Sequence, residues 1–414
     1  MIIIYLCVVE YHKVKINMEL LSARLLALSP SETFAMAQKS NELKAQGFDV
    51  INMSVGEPDF YTPDHIKQAA KKAVDDNFSF YSPVAGFPDL KKAICDKLKR
   101  ENNLEYTPAQ IVVSGGAKQS LCNVILSIID KDDEVIIPSP YWVSYPEMVK
   151  LAEGKSVFIH AGIEQDFKIT PQQLEEAITP KTKALILCSP SNPTGSVYTK
   201  DELAALAAVI EKHKNLYVIA DEIYEHINYI GAHETIGQFP NIFDKVVIIN
   251  GVSKGYAMTG WRIGWIAAPL SIASACNMLQ GQYTSGPSSI SQKAALAAYT
   301  GDQSCVSEMR VAFERRRSLI VDLLKEIPGL NVNTPMGAFY VFPECKSYIG
   351  KSYNGKKIET ATDVAMFLLE EAHVACVGGD AFGAPGCIRL SYATSDDNIT
   401  KAIARIKTAL EKLS

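Results

Sequence analysis

The sequence lacks the features that mark several classes of protein. It has no long run of Lys and Arg, and its formal net charge is −5. The basic surface of a nucleic-acid binder is therefore not indicated. None of its nine cysteines forms a C-x-x-C pair, which argues against a disulfide framework or a zinc site and suits a reducing compartment. We therefore expect no nucleic-acid partner and no metal site.

Long hydrophobic runs are also scarce. The apolar start MIIIYLCVV ends after nine residues at Glu10, which is too short to span a bilayer. It also lacks the basic region and cleavage site of a signal peptide. We expect no membrane partner and a cytoplasmic location. Because Met18 begins a more usual N-terminus, residues 1–17 are predicted to be a disordered or mis-assigned start.

Short β-branched runs alternate with helical patterns through the middle of the chain. This alternation is typical of a mainly parallel sheet covered by helices. Seven runs are predicted strands: IVVSG (111–115), DEVIIPSP (133–140), KSVFIHA (155–161), KALILCSP (183–190), NLYVIAD (215–221), KVVIING (245–251) and RIGWIAAP (262–269). We predict an α/β fold whose large domain, residues 65–300, contains a mainly parallel seven-stranded sheet flanked by helices.

The C-terminal part has a different pattern. A long helical stretch leads into short predicted strands at GAFYVFP (337–343) and CIRLSYA (387–393), and a final helix follows from about Asp396. This pattern predicts a smaller α+β domain over residues 301–414, to which residues 18–64 contribute.

Unusual polar residues follow four of the predicted strands. These segments are GGAKQ (115–119), SPSNPTG (189–195), DEIYEH (221–226) and GVSKGYAMTGWR (251–262). Ligands bind beyond the carboxyl ends of the strands in an open parallel sheet. We therefore predict that these four segments converge on one site.

The chemistry of these segments suits a phosphorylated aldehyde. Lys254 lies among small residues after a buried strand, and desolvation favours the neutral amine that attacks an aldehyde. Arg262 offers a planar fork for phosphate, and the turn before Ala117 can bring helix N–H groups close to it. Asp221, at a strand end, needs a cationic partner such as a protonated pyridine nitrogen. Taken singly, the turn could be only a tight link, Asp221 a helix cap and Lys254 a solvated surface group.

Together these residues resemble the class I aminotransferases of the aspartate aminotransferase superfamily, the fold type I pyridoxal phosphate enzymes. The likeness runs from about residue 20 to residue 414, and its closest branch is the bacterial aspartate or aspartate/prephenate aminotransferases. The motifs that carry it are SVGEPDF (54–60), YSPVAGFPDLKKAI (81–94), SPYWVSYPEM (139–148), SPSNPTGSVY (189–198), ADEIYEH (220–226), GVSKGYAMTGWRIG (251–264) and IRLSYA (388–393).

The resemblance implies pyridoxal 5'-phosphate as cofactor and gives each matching position a role. Lys254 would carry the cofactor as a Schiff base and move the proton at the substrate Cα. Asp221 would pair with the ring nitrogen, and Asn192 and Tyr224 would hydrogen-bond the phenolic oxygen. Trp142 would stack on the ring.

The remaining implied roles concern the phosphate, the substrate and the subunit partner. The backbone of Gly116 and Ala117, with the Arg262 side chain, would hold the phosphate. Arg389 would bind the substrate α-carboxylate, with Gly56, Trp142 and Asn192 lining the same pocket. Tyr81 would reach the phosphate of the neighbouring subunit, which implies a homodimer.

Some alternatives remain open at this point. Trp142 could be a core aromatic, Arg389 a surface salt-bridge residue and Asn192 the start of a turn. Many relatives have serine where this chain has Gly251, which leaves one phosphate contact in doubt.

The implied activity is ping-pong transfer of an amino group from an L-amino acid, aspartate first, to 2-oxoglutarate. An aromatic or prephenate aminotransferase is the nearest alternative. A pyridoxal phosphate lyase or decarboxylase and a non-catalytic regulator on this fold are the others. Regulators of that kind usually have a DNA-binding domain, and the residues before the first motif are too few and too weakly basic to form one.

Overall fold

The computed structural model describes residues 20–414, so the predicted start at 1–17 lies outside the described residues. Its helices are α1 Ala23–Leu26, α2 Glu32–Ala45, α3 Asp64–Asp75, α4 Pro88–Asn102, α5 Ala117–Ile128, α6 Ser144–Leu151, α7 Pro171–Ala177, α8 Lys200–Lys212, α9 Leu270–Tyr283, α10 Ser289–Thr300, α11 Ser304–Lys325, α12 Ala361–Ala372 and α13 Asp396–Leu410. Its strands are β1 Ile51–Asn52, β2 Ile111–Ser114, β3 Glu134–Ser139, β4 Lys155–His160, β5 Thr182–Cys188, β6 Tyr217–Asp221, β7 Val246–Gly251, β8 Gly264–Ala267, β9 Tyr340–Val341, β10 Ser352–Tyr353, β11 Lys356–Lys357, β12 Val374–Ala375, β13 Val377–Gly378 and β14 Ile388–Ser391.

The seven predicted runs form one seven-stranded sheet. Its strand order is β2-β8-β7-β6-β5-β3-β4. The pairs β3–β4, β3–β5, β5–β6 and β6–β7 are parallel, whereas β8 runs antiparallel to both β2 and β7. The prediction of a mainly parallel seven-stranded sheet within an α/β fold is confirmed.

The strands are hydrophobic almost throughout because helices cover both faces of the sheet. In β7, Val246 and Ile248 pack in a cluster with α3, α4, α8 and α10. Their neighbours Val247 and Ile249 point to the other face and pack with α5, α6 and α9. Successive side chains of a strand alternate between faces, so a strand covered on both sides reads as a continuous apolar run.

Helix α8 shows how the covering helices are specified locally. Thr199 caps it, with its Oγ1 accepting from the Glu202 backbone N–H at 3.3 Å, while the Glu202 carboxylate accepts from the Thr199 N–H at 2.8 Å. This reciprocal pair satisfies two backbone donors that the first helical turn leaves unpaired. The apolar stripe that includes Leu203, Leu206 and Ile210 is then buried against the sheet.

A second core lies outside the large sheet. Strands β13, β14 and β9 form an antiparallel sheet, and β1 pairs in parallel with β12. Residues of α2, α11, α12 and α13 pack with them. The N-terminal segment therefore lies with the C-terminal elements, while the domain limits at residues 64 and 300 stay predictions. No helix in the described part of the chain is both long and apolar enough to cross a membrane.

Candidate active site

A cavity of about 490 Å³ opens where strands β2, β3, β5, β6 and β7 end. This is the edge predicted from the polar segments, and the second core covers it from the other side. Nine of the predicted site residues line the cavity: Gly56, Ala117, Trp142, Asn192, Asp221, Tyr224, Lys254, Arg262 and Arg389.

Lys254 follows β7 and directs its side chain into this cavity. Its Nζ donates a hydrogen bond to the Gly56 carbonyl at 2.7 Å. Burial lowers the pKa of Lys254 to about 8, against a raising effect from Glu57 and a further lowering by Arg262. About a tenth of the amine is therefore neutral at pH 7, far more than for an ordinary lysine, and nucleophilic attack on an aldehyde requires this form.

Asp221 ends β6 with its side chain buried at the cavity wall. Tyr145 donates to Asp221 Oδ2 at 2.6 Å, and the Ile223 N–H is 3.4 Å from Oδ1. Burial raises the pKa of Asp221 to about 6, although the bond from Tyr145 opposes the rise. A buried carboxylate in this state gains most from a cationic ligand.

The start of α5 and the Arg262 guanidinium form the anion-binding end of the cavity. Gly116, just before α5, has φ of +96°, and a Cβ there would collide with the Arg262 guanidinium. Arg262 Nη1 donates to the Thr259 carbonyl at 2.8 Å. The first N–H groups of α5, beginning with Ala117, have no partner inside the helix. A helix start beside an arginine is a ready phosphate site.

Gly251, the position at which the resemblance leaves a phosphate contact in doubt, is fixed by its strand neighbour. It pairs with Gly264 across β7 and β8. A Cβ at Gly251 would lie 2.7 Å from the Ile263 carbonyl oxygen and 2.8 Å from Gly264 Cα. Because both contacts are to backbone, no side chain fits here without moving a strand.

Arg389, on β14, is buried rather than on the surface, which rules out the exposed salt-bridge alternative. Its guanidinium donates to Asn192 Oδ1 at 2.8 Å and to the Ser54 carbonyl at 2.6 Å. Its Nε has no hydrogen-bond partner, and within residues 20–414 no carboxylate pairs with it. A buried guanidinium with spare donors suits a bidentate carboxylate ligand.

Two neighbouring tyrosines close the inner wall of the cavity. The hydroxyl groups of Tyr224 and Tyr340 lie 2.7 Å apart, and both side chains are buried. The Tyr340 ring centroid is 4.7 Å from the Arg389 guanidinium carbon. The sequence suggested Tyr224 but gave no reason to select Tyr340 within a hydrophobic strand.

Trp142 lines the cavity and is only partly buried, so it is not simply a core aromatic. Lys118 Nζ lies 4.7 Å from the Trp142 ring centroid. Burial, with a smaller effect of Arg262, lowers the pKa of Lys118. Lys118 and Tyr145 both lie on helices; the sequence placed the segment 115–119 at the site but did not single out Lys118, and it gave no sign that Tyr145 faces a ligand.

Of the two predicted residues that do not line the cavity, Gly116 lies next to it at the start of α5, and Tyr81 lies apart from it. Its side chain is 96% exposed and borders a separate groove with Phe80 and Pro287. A single chain therefore leaves its predicted contact with a neighbouring subunit untested.

The groups in the cavity match the parts of pyridoxal 5'-phosphate. A lysine of lowered pKa suits the aldehyde, a buried carboxylate suits the ring nitrogen, and the α5 start with Arg262 suits the phosphate. The guanidinium of Arg389 keeps donors free for a substrate carboxylate. Fold and donor set together define a pyridoxal 5'-phosphate enzyme of fold type I.

Comparison with known proteins places this enzyme in a family. The family model described as aminotransferase class I and II matches residues 49–406. The aspartate/prephenate aminotransferase of Cereibacter sphaeroides is 49% identical over 96% of this chain and 100% of its own length. The aspartate aminotransferase of Bacillus subtilis is 48% identical over 95% and 100%.

Solved structures agree with these sequence matches. The aspartate aminotransferase from Rhizobium meliloti superposes with a TM-score of 0.92 at 43% identity, covering 95% of this chain and 99% of that one. The Thermus thermophilus aspartate aminotransferase with maleate gives a TM-score of 0.88 at 42% identity, covering 94% and 99%. The chain belongs to the class I and II aminotransferases, and it is a transaminase that uses pyridoxal 5'-phosphate.

Proposed function

We propose that this aminotransferase takes the amino group of aspartate and passes it to 2-oxoglutarate in a ping-pong reaction. The donor leaves as a 2-oxo acid before the acceptor binds, so one cavity serves both dicarboxylates in turn. The relatives named above support this choice, since aspartate stands in their names.

The observation that carries the proposal is the position of Lys118. A dicarboxylate needs a second cation besides the one that binds its α-carboxylate. Arg389 supplies the first in this proposal, with Asn192 and Gly56 beside it, and Lys118 supplies the second from over Trp142. Among residues 20–414, the cavity wall carries four cationic side chains and two carboxylates, which favours anionic ligands.

The site residues are proposed to act as follows. The cofactor, once bound, withdraws electrons from the substrate Cα. Lys254 Nζ would hold the aldehyde carbon at rest and would move the proton at the substrate Cα during turnover. Asp221 would hold the proton on the ring nitrogen, with Tyr145 fixing the Asp221 carboxylate. Asn192 and Tyr224 would donate to the ring oxygen.

The rest of the proposed site binds and orients. The N–H groups that follow Gly116, including that of Ala117, hold the phosphate together with Arg262. Trp142 covers the ring face. These positions bring the Cα proton within reach of Lys254, and orientation of this kind supplies much of the rate of a positioned reaction.

A second acceptor, prephenate, is the alternative that the comparisons favour. Five of the relatives carry aspartate/prephenate in their names, with identities of 45–49%. Prephenate also has two carboxylates, so Lys118 and Arg389 offer one cation to each of them.

We further propose a cytoplasmic homodimer in which Tyr81 completes the phosphate site of the partner. The 96% exposure of Tyr81 and the 82% exposure of its neighbour Phe80 support an interface there. The eight free cysteines among the described residues support a reducing compartment.

Steady-state kinetics with a panel of amino donors and 2-oxoglutarate test the specificity. We expect aspartate to have the highest kcat/KM. Lys118→Met should lower kcat/KM for aspartate by roughly 10- to 100-fold, the cost of losing a buried hydrogen bond to a charged group. Alanine, which has no side-chain carboxylate, should lose little.

Lys71→Met, at an exposed lysine of α3, serves as the control. If the ratio of kcat/KM for aspartate to kcat/KM for alanine is the same in Lys118→Met as in the wild type, the role of Lys118 is contradicted. Transfer to prephenate without transfer to 2-oxoglutarate would favour the second candidate.

A further inference from the structure

Tyr340 contacts three separate parts of the candidate site. It lies on β9, paired with Ser391 of β14, so Arg389 is its diagonal neighbour on the same face of that sheet. Its hydroxyl lies 2.7 Å from that of Tyr224. The same hydroxyl occupies the space where a Cβ on Gly56 would lie. Gly56 in turn accepts the hydrogen bond from Lys254.

The direction of the hydrogen bond between the two hydroxyl groups is fixed once Tyr224 donates its proton to a ligand. A tyrosine hydroxyl has one proton to donate and can accept from others. If Tyr224 donates that proton into the cavity, only Tyr340 can be the donor between the two rings. Accepting this bond also strengthens Tyr224 as a donor, because hydrogen bonds in a chain polarise one another.

The ring of Tyr340 has a second use. The Arg389 guanidinium carbon lies 4.7 Å from the Tyr340 centroid and 4.8 Å from that of Phe382. With no carboxylate beside it within the described residues, Arg389 is held by these two ring faces and by neutral oxygens. Cation–π contacts of this kind are strongest at desolvated sites.

We propose that Tyr340 is a positioning residue for both the cofactor and the substrate. Its hydroxyl orients the Tyr224 O–H toward the cofactor, and its ring holds the Arg389 guanidinium for the substrate carboxylate. This inference rests on the proposed function for the roles of Tyr224 and Arg389. It predicts that the contributions of the hydroxyl and of the ring can be measured separately, each in its own variant.

Tyr340→Phe removes the hydroxyl and keeps the ring. The apoenzyme should bind pyridoxal 5'-phosphate about 2- to 10-fold more weakly, the range for one lost hydrogen bond. The pH midpoint of the visible absorption of the loaded protein should rise, because a weaker donor stabilises an ionised ring oxygen less. Binding of maleate, an unreactive dicarboxylate, should stay near the wild-type value.

Tyr340→Leu removes the ring as well. Maleate should then bind roughly 10- to 30-fold more weakly, as expected for a desolvated cation–π contact. Tyr392→Phe is the matched control, since it deletes a buried hydroxyl from the same core without lining the cavity. It should leave the absorption midpoint and maleate binding unchanged.

The outcomes separate the two levels of the proposal. Wild-type protein that takes up no cofactor would overturn the proposed function itself. Wild-type protein that behaves as expected, beside a Tyr340→Phe variant with an unchanged midpoint and cofactor affinity, would overturn only the orienting role of the hydroxyl. Equal maleate affinity in Tyr340→Leu and Tyr340→Phe would overturn the role of the ring.

Discussion

Replacing Tyr145 with phenylalanine should move the pKa of Asp221 without changing the shape of the site. The deleted hydroxyl donates to Asp221 Oδ2 at 2.6 Å in a buried setting. A hydrogen bond to a charged group contributes about 1.5–3 kcal/mol, and one pKa unit corresponds to about 1.36 kcal/mol. The loss should therefore raise the Asp221 pKa by about one to two units above its value of about 6.

The direction of the pKa change depends on which form of the Asp221 carboxyl group accepts the hydrogen bond from Tyr145. Tyr145 donates to the ionised carboxylate, so its removal disfavours ionisation and raises the pKa. At pH 7 about half to nine-tenths of Asp221 in the variant would then be protonated and could not act as counter-ion to a ring cation. Affinity of the apoenzyme for pyridoxal 5'-phosphate should therefore fall at pH 7 by about 2- to 10-fold, because only the ionised fraction of Asp221 pairs with the ring cation.

Infrared titration of the apoenzyme measures the change directly. The absorbance of the protonated carboxyl group is followed with pH, and Asp221→Asn serves as the blank. Tyr141→Phe is the matched control, because Tyr141 lies four residues earlier, just before α6, and stacks on Phe158 instead. A titration midpoint in Tyr145→Phe that equals the wild-type value would refute the reasoning.

Two further predictions concern the cofactor end of the site and the support behind it. Gly116→Ala should weaken binding of pyridoxal 5'-phosphate to the apoenzyme by at least about tenfold, because φ of +96° strains any residue with a Cβ and the added Cβ would push the Arg262 guanidinium from its place; Gly260→Ala, with open space around its Cβ position, should not. Lys97→Met should lower the free energy of unfolding in urea by about 3–5 kcal/mol, because it leaves the Glu225 carboxylate buried without its partner; the exposed pair of Lys92 makes Lys92→Met the control. Burial alone would raise the pKa of Glu225, but Lys97 and two histidines lower it to about 2, so this contribution should be complete above about pH 4.5 and be lost as the pH falls toward 2. An equal loss in both lysine variants, or equal cofactor affinity in both glycine variants, would contradict these accounts.

The sequence predicted the structure best where a single physical requirement, such as burial on both faces, determines the residues of a whole segment. Strands covered on both faces must be apolar throughout, so the seven sheet strands stood out as short hydrophobic runs. Asp221 ends such a strand, Asn192 and Lys254 each follow one within a few residues, and the topology brings the strand ends together. These positions could be inferred before any coordinates because chain order and sheet geometry both point to one edge.

The residues that the sequence did not reveal act through tertiary contacts. Tyr145 and Lys118 lie on helices, where an aromatic reads as core and a lysine as solvated surface. Tyr340 lies in the run GAFYVFP, where nothing separates a ligand-facing tyrosine from a packed one. Tyr81 stays a prediction because its proposed partner is on another chain, and the domain limits stay predictions because no contact fixes them.

The paired glycines of β7 and β8 bear on how this enzyme can be recombined with its relatives. Gly251 and Gly264 touch backbone to backbone, so the two strands form one interlocking unit around the lysine loop. A chimera that imports a serine-bearing loop while keeping the native β8 would force the strands apart. To exchange this loop successfully, residues 246–267 should have to be transferred together.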